Sequence, residues 1–237
     1  MKWSDIVSDI LPEFKLADPY TTAEITVKDL LTHNTGLGNG DLLWVLGYSR
    51  PEIMHRMQYM SPAYSLRASY IYQNLMYVVA GELIKKVSGM SWDDFITERI
   101  FRPLSMTNTW ADYSAIPTSA LRSTPHFKDA DNKDSIRTIK YLTEDNVGPA
   151  GGVWSCVDDI SKWLRFLLDS AKVNGKRLLK AETFSELFKP QVMVPPAEFY
   201  PTARLTKPHW TTYGLGWFQH DYRGKMVQFH TGSLAGQ

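Results

Sequence analysis

Along the first two thirds of the chain, apolar residues recur at helical spacing. In "LMYVVAGELIKKVSG", Leu75, Val78, Val79, Leu83 and Val87 share one helical face, and Gly89 suits the left-handed position that closes such a helix. Ser91 followed by Asp94 resembles a capping box and opens a second helix, "WDDFITERIF", which Pro103 ends. A short helix is expected from about Val27, stopped near Gly36. "GPAGGVWS" reads as a glycine-rich loop that feeds Ser155 as an N-cap. The helix after it is expected to run to about Val173, to bury Val157, Ile160, Leu164 and Leu167, and to end at Asn174-Gly175. "AETFSELF" makes one more short helix.

Toward the C-terminus the pattern changes. "YGLGWFQHD", the turn "YRGK" and "MVQFHTG" read as a β-hairpin. Upstream, "PHF" and "IRTIKYL" flank the polar turn "KDADNKD" as a second, smaller hairpin. These elements predict an α+β fold in one domain spanning 1–237. A mainly helical region over roughly residues 20–190 lies beside an antiparallel sheet, to which residues 210–237 contribute a hairpin.

Composition narrows the partners. Lys plus Arg (26) nearly cancels Asp plus Glu (25), so no basic field points to nucleic acid or an anionic membrane. No stretch approaches the ~20 apolar residues of a membrane span, and "MKWSDIVSDILPEF" holds no signal-peptide core. With Cys156 the only cysteine, no internal disulfide is available and the compartment stays open. Eight Trp leave aromatic surface for a core or for a cleft that takes an organic ligand. Trp44, Trp92, Trp110, Trp154 and Trp163 are read as core, although Trp44 and Trp154 lie on loops that could border a cleft.

No cofactor or metal is expected from the motifs. The six His, at 33, 55, 126, 209, 220 and 230, form no His-x-x-x-His pair. "GLGNG" lacks the Lys-Ser/Thr ending of a phosphate loop, and no Gly-x-Ser-x-Gly occurs. Two constellations remain. In Tyr72-Gln73-Asn74, a phenol of ordinary pKa ~10 needs nearby cations to act as a base, and an amide two residues on can orient a carbonyl or an ammonium. In His230-Thr231-Gly232-Ser233, a glycine permits close approach and backbone N–H groups can hold an oxyanion. Taken singly, each also fits a packed aromatic or a structural histidine. His33, at a helix end, is read as structural, and Cys156 as a small buried helix residue.

Five stretches in order raise those odds. "ITVKDLLTHNTGL", "YIYQNLMYVVAGELIKKVSGMSWDDFITERIFRPLSMTNT", "PAGGVWSCVDDISKWL", "YGLGW" and "FHTG" are similar to successive motifs of the β-lactamase-related serine hydrolases. That family includes class C β-lactamases, D-alanyl-D-alanine carboxypeptidases of the penicillin-binding-protein type, D-amino-acid peptidases and esterases. The resemblance runs from Asp5 to Gln237. Ser105 stands where a Gly is usual, and Asn34-Thr35 where Thr-Ser is common.

The resemblance implies a β-lactamase/transpeptidase-like fold and an acyl-enzyme mechanism on an amide, lactam or ester of a small or peptide-like substrate. Tyr72 would share proton transfer with a lysine, and Asn74 would hold that lysine and the substrate amide. His230 would reach toward substrate or tyrosine, and the 231–233 backbone would bind substrate and oxyanion. The family's nucleophile lies in a Ser-x-x-Lys motif, and no serine here has Lys three positions later. The chain is therefore expected to be an interior piece of a longer protein, with sheet edges exposed and prone to self-association. Family members are often exported. A catalytically inactive binder of peptide-like or penicillin-like ligands, and a non-functional gene fragment, compete with the enzyme reading.

Overall fold

The structure, a computed structural model, describes residues 1–129, 135–141, 145–196, 203–234 and 236. In chain order its elements are α1 (Val7–Ile10), α2 (Pro19–Glu24), α3 (Val27–Leu30), α4 (Leu42–Val45), α5 (Arg50–Met57), α6 (Leu75–Ser88) and α7 (Trp92–Ile96), which a π-turn continues over Thr97–Phe101. The strands β1 (His126–Lys128) and β2 (Ile136–Thr138) follow, then α8 (Gly148–Gly151), α9 (Val157–Leu168), β3 (Lys172–Val173), β4 (Lys176–Arg177) and α10 (Ala181–Leu187). Last come β5 (Val192–Met193), α11 (Ala203–Thr206), β6 (Thr211–Tyr213), β7 (Phe218–Tyr222) and β8 (Lys225–Phe229). Helices plus small antiparallel sheets make an α+β protein. No helix among the described residues is long and apolar enough to cross a membrane.

α6 is the hub of the helical part. Leu75, Met76, Val78, Val79 and Leu83 are buried in one cluster with Val7, Leu11, Leu30, Ile53 and Met57 from the helices around it. Burying each such side chain is worth roughly 1.5–3 kcal/mol. Gly89, at φ 74°, closes the helix as its spacing predicted. Val87 does not join the core: it is exposed, in the last turn of the helix. Gly81 has a packing reason, since a Cβ there would come 2.4 Å from Pro149. α8 therefore sits directly against α6, and this places Ala150 and Gly151.

α3 starts where predicted but stops at Leu30. Thr26 and Asp29 form its capping box, and the backbone turns left-handed at His33 (φ 57°), which ends the helix before Gly36. Asp29 also takes a bidentate pair from Arg67, at 3.0 and 2.6 Å. Arg50 clamps Asp93 bidentately at 2.9 Å and donates to the Asp145 carbonyl at 2.8 Å, so α5, α7 and the approach to α8 are held together. Residues 148–151 of the expected loop are thus a helical turn.

The third long helix needs more correction. α9 ends at Leu168, and Asn174-Gly175 is a hairpin turn between β3 and β4 rather than a helix stop. Both residues have positive φ (48° and 76°), as the tight primed turns require. The N-cap is Cys156, not Ser155, whose Oγ instead lies 2.8 Å from Thr109 Oγ1. Cys156 is half-buried. The buried face of α9 carries Asp159 and Phe166, with Trp163 and Leu167 partly covered. Asp159 accepts from Asn108 N, Thr109 Oγ1 and Lys162 Nζ at 2.7–2.9 Å, which ties the helix to the preceding loop. Val157, Ile160 and Leu164, expected inside, point outward with Leu168, at 85%, 41%, 50% and 86% exposure.

β5-β6-β7-β8 form one antiparallel sheet in that order. "YGLGW" is not the first half of a strand. It ends β6 at Tyr213 and turns through Gly214–Trp217 into β7, with Gly214 N–H donating to the Trp217 carbonyl. The "YRGK" hairpin forms as expected, and β1 pairs with β2 antiparallel. Of the "KDADNKD" turn between them, residues 130–134 lie outside the described residues. Tyr70, Val194, Tyr213 and Phe218 make a core between sheet and helices, with Tyr72 packed on it.

Four adjacent exposed apolar side chains on α9 predict association between copies of this chain. Sedimentation velocity should show the mass rising with concentration, and Leu164→Glu with Leu168→Lys should return it to the monomer. A wild-type chain that stays monomeric at high micromolar concentration would sink this expectation.

Candidate active site

Tyr72 sits on the extended approach to α6, where consecutive side chains face opposite ways. Gln73 is fully buried, its Nε2 donating to Thr35 Oγ1 (3.0 Å) and the Leu37 carbonyl (3.3 Å). With Gln73 anchored inward, Tyr72 and Asn74 on either side face a cleft. At the other end of the chain, β8 stops at Phe229 and the irregular segment 230–233 leads away from the sheet. Tyr72, Asn74, His230, Thr231, Gly232 and Ser233 all line this one cleft of about 610 Å³, together with Ala150 and Gly151 from α8. The rings of Tyr72 and His230 are 5.9 Å apart, and Tyr72 is half-buried. A Cβ at Gly232 would meet nothing within 4 Å, so that backbone is open to whatever occupies the cleft.

Behind this surface runs a chain of hydrogen bonds, buried at His33 and Tyr213 and reaching the cleft at His230. Gln73 N–H donates to His33 Nδ1 at 3.2 Å, which leaves the ring proton on Nε2. That Nε2 lies 3.2 Å from Tyr213 Oη and donates to it. Tyr213 Oη is in turn 3.1 Å from His230 Nε2, while His230 Nδ1 lies 2.7 Å from the Thr231 carbonyl and donates there. Tyr77 donates to the Leu31 carbonyl at 3.0 Å, so its own proton is committed elsewhere. The partners thus assign one tautomer to each imidazole, and Tyr213 donates to His230.

The electrostatics follow from burial. His33 is held down to about 3, chiefly because burial penalises its charged form and then because His230 lies near. Burial also lowers His230, although its outer edge is exposed and its bond to Thr231 works the other way. Burial raises Tyr77 and Tyr213 above the ordinary phenol value, so both keep their protons. No Lys or Arg lines the cleft among the described residues.

A family model described as Beta-lactamase matches residues 1–237. The chain belongs to the Beta-lactamase family. An unguisins hydrolase of Aspergillus campestris is 25% identical over 242 residues, covering 100% of this chain but 43% of the fungal protein. Among solved structures, an octameric penicillin-binding protein homologue from Pyrococcus abyssi superposes with a TM-score of 0.78 at 20% identity, over 98% of this chain and 51% of that one. A D-stereospecific amidohydrolase from Streptomyces sp. gives 0.77 at 23%, over 100% and 69%. The β-lactamase/transpeptidase fold and membership of a serine hydrolase family follow. The chain spans less than half the length of the Aspergillus hydrolase.

Within this Beta-lactamase family member, sequence reasoning placed His33 as structural but missed its bond to the sheet. Tyr213 lay inside the "YGLGW" stretch but was given no role of its own. Trp44 does border the cleft, held by Asn146 Nδ2 donating to the Trp44 and Tyr48 carbonyls at 2.9 and 3.0 Å. Trp154 does not border it, and packs instead against Tyr113 and Tyr141. Asp41, also in the cleft wall, went unnoticed, because an Asp after "GLGNG" looks like any loop residue.

His33 gives a pH test. Below about pH 6.5 the unfolded chain protonates this residue, whereas the folded chain resists until about 3. Stability should therefore fall as pH drops through that window, by up to ~1.4 kcal/mol per unit, and His230 adds to the slope with the same sign. His33→Asn tolerates the left-handed backbone and keeps an acceptor for Gln73 N–H. Urea unfolding from pH 7 to 5, above most carboxylate titration, should show a flatter slope for the variant. Equal slopes would remove the claim that His33 is buried neutral.

Proposed function

We propose that these residues form the base and oxyanion side of a serine hydrolase cleft that cleaves an amide, lactam or ester through an acyl-enzyme. The observation that carries the reading is the convergence of Tyr72 and Asn74 with the 230–233 segment on one cleft. The nucleophile and its lysine belong to residues other than these 237, since no Ser-x-x-Lys occurs among them. With that pair in place, the serine oxygen attacks the scissile carbonyl carbon. Its proton passes by way of the lysine and Tyr72 to the leaving nitrogen or oxygen as that bond breaks. Water then adds to the acyl carbon, gives up a proton to the same base, and releases the acid and the free serine. The cation that lets a phenol act as a base at neutral pH is the lysine. His230, holding a fixed tautomer through Tyr213, offers a neutral ring to the cleft, and the backbone N–H of Ser233 supplies an oxyanion donor.

The likeness to a D-stereospecific amidohydrolase supports an amide as the bond cleaved. In subtilisin, loss of the nucleophile costs ~10⁶ in turnover. A fluorophosphonate or fluorescent penicillin should therefore leave no covalent label on the 237-residue chain. A protein extended upstream to include Ser-x-x-Lys should be labelled, and Tyr72→Phe in it should slow labelling by roughly 10²–10⁴-fold. Stoichiometric labelling of the short chain would overturn this assignment of parts. An extended protein that binds penicillin reversibly but is never labelled would favour the non-catalytic binder.

A further inference from the structure

Asp41 is the one carboxylate in the wall of a cleft that no Lys or Arg lines among the described residues. Its Oδ1 accepts from Asn74 Nδ2 at 3.1 Å, and its Oδ2 accepts from Asn39 Nδ2 at 3.1 Å. Among the described residues no ion pair involves it. Two neutral amide donors solvate a carboxylate without cancelling its charge, and each oxygen has further capacity to accept. A carboxylate also decides which way the neighbouring amide turns. Because it only accepts, the Asn74 NH₂ must face Asp41 and the Asn74 carbonyl oxygen must face the other way. The cleft wall on this side therefore presents acceptors, one of them charged, with Trp44 as an aromatic wall in the same cleft. The complementary ligand group is a cation with several N–H donors.

We propose that Asp41 and Asn74 form an ammonium-binding corner of the cleft, taking the free amine of an α-amino-acid amide, ester or short peptide N-terminus. Asp41, Asn74 and Tyr72 line the same cleft, so an amine bound at this corner belongs to the same small ligand as a carbonyl reacting beside the tyrosine. A substrate whose carboxylate falls at the same place meets a like charge, which makes the cleft selective against it. That the amine belongs to a substrate rests on the hydrolase reading. The corner's affinity for an ammonium does not.

A lysine of the longer protein carries the same ammonium chemistry, and the experiment separates the two sources. On the 237-residue chain, where Ser-x-x-Lys is absent, binding of phenylalaninamide and of neutral N-acetylphenylalaninamide is measured by calorimetry or chemical-shift titration at pH 7. The free amine should bind roughly tenfold more tightly, as a charge-assisted hydrogen bond implies, and Asp41→Asn should erase the difference while Asp41→Glu keeps part of it. Equal affinities in the wild-type chain overturn the proposal, whether or not the Asp41 variants fold. In the protein extended through Ser-x-x-Lys, hydrolysis of the phenylalanine p-nitroanilide should exceed that of its N-acetyl derivative by a similar factor. If the extended protein shows no such preference while the short chain does, the corner is occupied by the enzyme's own lysine, and the substrate part is overturned. Failure of the extended protein to take a fluorophosphonate label removes the hydrolase reading alone, because the binding comparison needs no turnover.

Discussion

The bond between Tyr213 and His230 is the constraint on which the cleft depends. Tyr213 belongs to a strand in the middle of the sheet, and its hydroxyl meets His33 from the helical part on one side and His230 on the other. One phenol can donate only once, so the order of donors along the run is set by its ends. Gln73 N–H occupies His33 Nδ1, and the Thr231 carbonyl takes the proton of His230 Nδ1. Every polar atom in between then has a single consistent role. The arrangement requires dry surroundings, since buried groups gain most from hydrogen bonds that water cannot replace. Tyr70, Tyr72, Tyr77 and Phe218 provide that shell around His33, Tyr213 and the inner side of His230.

The cost of this dryness is borne by the histidines, which lose their charge, and the consequence reaches the cleft. A family that needs a cation beside its phenol has, on this side, two neutral imidazoles and a carboxylate. On the hydrolase reading proposed above, the positive charge would come from a lysine outside these residues or from the substrate. The bond from Asn74 to Asp41 fixes which way the amide turns, so the acceptors proposed above to meet that cation keep one orientation.

Much of this was legible in the chain. The helix from Leu75, its glycine stop and the C-terminal hairpin lie where local pattern put them, and the six candidate residues line one cleft. What failed shares one cause, namely that local pattern does not state what lies opposite. Asn174-Gly175 serves equally as a helix end or as a hairpin turn, and only the pairing of Lys172–Val173 with Lys176–Arg177 decides. His33 and Tyr213 lie inside motif stretches, but nothing in those stretches states what either side chain bonds to. Their importance comes from a contact between residues far apart in the chain, which no spacing rule encodes.

α9 shows the same limit in its sharpest form. Its sequence holds two apolar stripes, one through Trp163, Phe166 and Leu167 and one through Val157, Ile160, Leu164 and Leu168. Periodicity alone ranks the second above the first, because the first also contains Asp159. Yet Asp159 is what selects the inner face. Its carboxylate accepts from Asn108 N–H and Thr109 Oγ1, which only the inward orientation supplies, while Lys162 one turn on in the same helix balances its charge. Turning the helix over would hide Val157, Ile160, Leu164 and Leu168 only by exposing Trp163, Phe166 and Leu167, so the apolar gain is largely cancelled and the hydrogen bonds of Asp159 weigh in the balance. A charged residue therefore sets the rotation of an amphipathic helix, and the better apolar stripe is left facing out.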